Sequence, residues 1–206
     1  MQAVDFDEKA RGWDANPAFI DRAQRTGAAI RARVPIAPAM RVLEVGCGTG
    51  LLGLPFAPEV ASLTCIDTSE GMLAIVREKV AASGLANVTV LHHDLAHAPL
   101  AGGPFDLIVS AMMLHHVPDT AAMLRSLAGT LAPGGWLCIA DLDREDGTFH
   151  GPGVDVHHGF DRAALGALAV QAGLRDVGFD TLLSIAREEG GVRREYPVFL
   201  LHARRG

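Results

Sequence analysis

Between residues 41 and 142, short apolar runs alternate with segments of helical periodicity, a pattern that few architectures accept. Residues 41–45 read as a strand and run into a glycine-rich turn. A second apolar run, 62–66, ends in Asp67, and Thr68 or Ser69 can cap a helix carrying Leu73, Val76 and Val80 that stops at Gly84. Residues 87–92 and 105–110 are further strands. A helix opening at Asp119 puts Leu124, Leu127 and Leu131 on one face before Pro133-Gly134-Gly135 breaks it, and 136–140 forms a fifth strand. Strands that alternate with helices imply right-handed crossovers and a parallel sheet covered on both faces.

The ends of the chain differ. Asn16 followed by Pro17 is an N-cap with proline at the first helical position, and Phe19, Ala23, Gly27, Ile30 and Val34 recur at helical spacing until Pro35. A shorter amphipathic piece spans 6–13. Asp161 opens a helix closed by Gly173; Val177 to Ile185 alternate as a strand, and 196–202 return after a Gly-rich turn at 188–191. So short a turn favours an antiparallel hairpin on the sheet edge. The expected organisation is one domain over 1–206: a helical cap (1–40), a ligand-binding core (41–142), a His-rich loop (143–160), and a helix with a terminal hairpin (161–206).

Charge and cysteine usage narrow the function. The 206 residues carry 18 Lys plus Arg against 24 Asp plus Glu, a net charge of −6. Only Arg41, Arg77, Lys79 and Arg125 are basic between 41 and 140, so no basic face for nucleic acid is expected. The acidic opening residues lack the basic-then-apolar order of a targeting segment, and no run of about 18 apolar residues predicts a membrane span. Cys47, Cys65 and Cys138 are odd in number and far apart, as expected of buried free thiols in a reducing, cytoplasmic setting.

The sharpest motif is Val42-Leu-Glu-Val-Gly-Cys-Gly-Thr-Gly50, in which Gly46, Gly48 and Gly50 leave the first strand toward an expected helix. Bare glycine backbone lets a ligand lie close against the chain. The spacing is E-x-G-x-G-x-G led by Glu44; a dinucleotide fingerprint would need glycine where Leu51 stands. Asp67, 21 residues after Gly46, sits where a carboxylate accepts both ribose hydroxyls. Asp94 follows the third strand, where it can accept from an adenine amine while the Leu95 backbone meets the ring edge.

With these pieces the chain resembles the class I S-adenosylmethionine-dependent methyltransferases, in particular the small-molecule branch around the ubiquinone and menaquinone methyltransferases. The matching segments are 42–50, 65–73, 93–95, 105–119 and 131–140, and Phe6-Asp-Glu-Lys-Ala-Arg-Gly-Trp-Asp14 is similar to that family's N-terminal signature, with Trp13 where tyrosine is usual. The resemblance implies an α/β, Rossmann-like doubly wound sheet of seven strands, mostly parallel with an antiparallel terminal strand, in order 3-2-1-4-5-7-6. It implies S-adenosylmethionine as cofactor and S-adenosylhomocysteine as product. Glu44 and the loop Gly46, Cys47, Gly48 and Gly50 would support the methionine portion, with Trp13 beside them. Asp67 and Thr68 would hold the ribose, Met72 would pack on adenine, Asp94 and Leu95 would bind its edge, and Ser110 and Ala111 would offer carbonyls to the ammonium.

Methyl transfer from a sulfonium needs alignment and exclusion of water more than acid or base. A base is required only for an acceptor that arrives protonated, and histidine suits that task at neutral pH. His157 and His158 in the Gly-rich loop are the first candidates and His115, after the fourth strand, the next. His150, Asp155, His157 and His158 could ligate a metal, but their spacing lacks the usual tightness and no metal is expected. Ser110-Ala-Met-Met113 replaces the Asn/Asp-Pro-Pro-Tyr that grips adenine, cytosine or glutamine nitrogens, leaving a small organic acceptor in an apolar pocket as the expected partner. Two other readings are a non-catalytic cofactor sensor and a nicotinamide-dependent oxidoreductase. Leu51, Asp94 and the terminal hairpin count against the second.

Overall fold

The computed structural model describes residues 5–151, 153–189 and 191–206. Seven strands form one sheet: β1 (Arg41–Val45), β2 (Ser62–Asp67), β3 (Val88–His92), β4 (Phe105–Ala111), β5 (Leu131–Leu142), β6 (Leu174–Glu189) and β7 (Val192–Arg205). Their order is β3-β2-β1-β4-β5-β7-β6, as the resemblance implies. The first five are mutually parallel, and β7 runs antiparallel to both β5 and β6.

Helices α1 (Phe6–Trp13) and α2 (Pro17–Arg33) precede the sheet; α3 (Glu70–Ser83), α4 (Thr120–Thr130) and α5 (Arg162–Gln171) cross over it. Their starts follow capping chemistry. Asp5, Asn16, Ser69, Asp119 and Asp161 each accept a backbone N–H of the first turn through the side chain. Gly84 closes α3 at φ +66°, a left-handed conformation glycine adopts without penalty. Successive residues of the central strands feed opposite faces. Val42, Leu107 and Val109 pack with Ile30 and Leu73, whereas Leu43 and Ile108 pack with Leu127 and Leu165.

Three features depart from the sequence expectation. No α-helix follows the glycine loop; turns lead into a 3₁₀ segment, Leu54–Glu59, holding Pro55 and Pro58. Pro58, inside the segment, lacks the N–H that an α-helical bond back to Leu54 would need, so the segment does not propagate as an α-helix. Leu131 already belongs to β5, and Pro133-Gly134-Gly135 lies within that strand as an irregularity opposite Phe105–Leu107. A Cβ on Gly135 would stand 2.9 Å from the Ala132 carbonyl and 3.1 Å from that of Phe105, so glycine permits the strand to continue. The hairpin strands also extend beyond the apolar alternation, into charged ends that carry no period-2 pattern. Gly190 of the expected turn lies outside the described residues.

Candidate active site

A cleft of about 890 Å³ opens where the sheet order reverses between β1 and β4, at the carboxyl ends of the strands. Glu44, Gly46, Cys47, Gly48, Asp67, Thr68, Met72, Asp94, Leu95, Ala111, Trp13 and His115 all line it. Gly50, Ser110, His157 and His158 do not. The fully buried Ser110 hydroxyl instead donates to the Val45 carbonyl at 2.8 Å and ties β4 to β1.

Close packing explains the glycine loop. Gly46 sits at φ +65°, and a Cβ there would lie 2.3 Å from Met113 Cγ. Gly48, at φ +51°, faces open space: a Cβ would meet nothing nearer than Met72 Sδ at 4.0 Å. Asp67 braces this turn, accepting the N–H of Gly48 at 2.7 Å and of Ser69 at 2.9 Å. Glu44 is 2% exposed, and Gly53 approaches it so closely that a Cβ would fall 2.1 Å from Oε2. Burial, helped by the nearby Asp67 charge, pushes the Glu44 carboxyl up to about 8, although the Gly53 N–H opposes this.

Helices α1 and α2 line the roof of the cleft, and two acids hold α1 down. Asp7 accepts the Ser69 hydroxyl at 2.5 Å and the Gly71 N–H at 2.8 Å, which keeps its carboxyl below the usual range. Asp14 accepts the Thr49 hydroxyl and pairs with Lys79, both at 2.6 Å. The signature acids are thus braces between the cap and the glycine loop. Trp13, between Phe6 and Phe19, supplies an aromatic wall.

The opposite end of the cleft carries different chemistry. His115 Nδ1 lies 2.6 Å from Asp141 Oδ1, and both side chains are buried. Asp141 also accepts the backbone N–H of His115 and of Leu142, so its position is fixed by three donors. Among the described residues, neither His115 Nε2 nor His150 Nε2, both buried, has a hydrogen-bond partner. The rings of His115, His116 and His150 stack and edge one another with centroids 4.2–5.3 Å apart. Burial first, and proximity to His115 second, lower His116 to about 3 and His150 to about 4. Arg22 and Arg187 also line this end; burial and the neighbouring Arg187 charge lower Arg22. Arg187 stacks on Phe149 at 3.9 Å.

Of the two loop histidines favoured by sequence, His157 fastens the loop to the segment after β4. The His157 backbone N–H donates to the His115 carbonyl at 2.8 Å, and its Nε2 sits 3.0 Å from the Val117 carbonyl. His158 is exposed, with its ring beside Gly147. Sequence reading missed Asp141, Arg22 and Arg187. A signal for Asp141 existed, since it follows the expected fifth strand as Asp67 follows the second.

The cleft suits S-adenosylmethionine. Asp67 and Asp94 both line it, the backbone at Gly48 is open, and the Leu54–Glu59 segment offers no α-helix N-terminus for a pyrophosphate. Residues 42–135 match the methyltransferase domain family model, so this part of the chain is a methyltransferase domain. Among its relatives is a ubiquinone biosynthesis O-methyltransferase of Thiobacillus denitrificans, 34% identical over 143 residues, which cover 68% of this chain and 61% of that protein. Another of that name, from Xylella fastidiosa, is 38% identical over 118 residues, 56% of this chain and 46% of the relative. The chain thus spans less than two thirds of the length of either. A methyltransferase solved in complex with the Haloferax volcanii Trm112 methyltransferase activator shares the fold at TM-score 0.77 and 17% identity, covering 99% of both chains. No described helix is long and apolar enough to cross a membrane.

Proposed function

We propose that this protein methylates a hydroxyl oxygen of a small organic acceptor. The observation that carries the proposal is the buried His115–Asp141 couple, whose Nε2 has no partner among the described residues and whose imidazole lines the cleft. S-adenosylmethionine, when bound, supplies an electrophilic methyl group on a sulfonium. Glu44, Asp67, Asp94 and the backbone from Gly46 to Gly48 would hold it at the β1–β2 end. Met113, Phe149, Val117 and Met123 line the acceptor end with apolar surface that excludes water.

A neutral hydroxyl must lose its proton as its oxygen is alkylated, and His115 Nε2 is the acceptor for that proton. Asp141 fixes the tautomer through Nδ1–H and stabilises the imidazolium that results. Related proteins bearing the name O-methyltransferase support oxygen as the attacking atom. The test is transfer from labelled S-adenosylmethionine to phenols, quinols and hydroxy acids, against amines and thiols. Oxygen products are expected, with His115→Gln lowering turnover about 10²–10⁴-fold. Labelling confined to nitrogen or sulfur, or full activity in His115→Gln, would overturn the reading.

A further inference from the structure

We propose that His115, His116 and His150 form a binding site for a divalent transition metal, with an open coordination position toward the acceptor end of the cleft. Their candidate donor atoms lie within 4.8 Å of one another. Around a tetrahedral ion with bonds of about 2.0–2.1 Å, donors stand ~3.4 Å apart, so side-chain rotation closes the remaining ångström or so. His116 and His150 are only half-buried and can make that movement; His115 is already fixed.

Two further observations point to a ligand. The Nε2 atoms of His115 and His150 are buried and have no partner among the described residues, an arrangement that costs stability unless something occupies it. Asp141, at 2.6 Å from His115 Nδ1, directs the proton to that nitrogen and leaves the Nε2 lone pair free, the carboxylate–histidine arrangement that orients metal ligands. Lys9 and Arg187 contribute positive charge nearby, and the buried Asp141 carboxylate offsets it. Three imidazoles and no oxygen ligand favour zinc, cobalt or iron over magnesium or calcium. The sequence pattern had suggested another set, His150 with Asp155, His157 and His158; only His150 of these belongs to the cluster.

The fourth position faces the cleft, so the exogenous ligand class is an oxygen donor: a hydroxyl, enol or carboxylate of the acceptor. Metal on Nε2 occupies the lone pair assigned above to proton transfer. In the loaded protein the ion would instead acidify the bound hydroxyl and release its proton to solvent. Metal binding itself depends on ring geometry and stands whether or not methyl transfer to oxygen is observed.

The test is titration of the untagged, chelator-treated full chain with Co(II), read by visible d–d absorption and by equilibrium dialysis. A low-coordinate Co(II) spectrum saturating at one ion per chain is expected. His116→Ala and His150→Ala should each weaken binding at least about tenfold and change or erase the spectrum, Asp141→Asn should weaken it about 10–100-fold, and His157→Ala should leave it intact. Circular dichroism and thermal melts would verify that each variant is folded. No d–d band at stoichiometric Co(II), or a band unchanged in both folded His116→Ala and His150→Ala, would overturn the site.

Discussion

Glu44→Gln replaces a buried carboxyl with an uncharged group of the same shape, and the cost of that carboxyl can be read from its surroundings. Burial is the main reason its folded value stands at about 8 rather than 4.5. The shift means that the folded state holds the proton more tightly than the unfolded chain. Below pH 4.5 both states are protonated and nothing is lost. As pH rises the unfolded state ionises first, and stability falls until the folded carboxyl also ionises near pH 8. The full difference is about 5 kcal/mol, of which roughly 3 kcal/mol is lost by pH 7. Urea unfolding of wild type and Glu44→Gln at several pH values between 5 and 9 measures it. The variant should gain on the wild type progressively, level off above pH 8, and keep the Gly53 hydrogen bond through its amide oxygen. A constant difference across that range would mean that the Glu44 carboxyl ionises alike in the folded and unfolded chain. The same variant tests function: an ammonium near Glu44 favours the ionised form, so cofactor binding at pH 7 should release a proton in wild type and none in Glu44→Gln. Calorimetry in buffers of different ionisation enthalpy reads that release.

Other predictions concern the braces and the loop. Gly46→Ala forces a left-handed φ on a residue with a Cβ and drives it into Met113, so a loss of about 2 kcal/mol or more and of cofactor affinity is expected by thermal melt and calorimetry. Asp14→Ala removes the Thr49 and Lys79 contacts and should cost about 1–2 kcal/mol while weakening cofactor binding; unchanged affinity would show the cap is not coupled to the loop. Asp67→Asn loses the charge and one of the two acceptor oxygens that hold the Gly48 and Ser69 N–H groups, so binding of S-adenosylhomocysteine should fall about tenfold or more by calorimetry.

Much of the fold was legible because its causes are local. Apolar runs of strand length, Asp or Ser before helical periodicity, and glycines at left-handed positions each act within a few residues. The errors had local causes as well. Pro58 stops the helix expected after the glycine loop, and Gly134-Gly135, read as a break, let β5 start earlier. His157 and His158 resembled catalytic residues by composition, yet a histidine in a loop is defined by where the loop folds back, and theirs is fastened to the 114–118 segment.

The amino-acid sequence was enough to place Glu44, Gly46, Gly48, Asp67 and Asp94 at one end of the cleft, since they sit at or near strand ends whose positions follow from the alternation of strand and helix. The other end depends on how distant segments fold together. Arg22 on α2, His115 beyond β4, Asp141 on β5, His150 in the following loop and Arg187 on β6 are far apart along the chain. No periodicity relates them. Burial of the sheet's two faces and closure of the hairpin bring those elements together, and with them the His115–Asp141 couple and the three-histidine cluster.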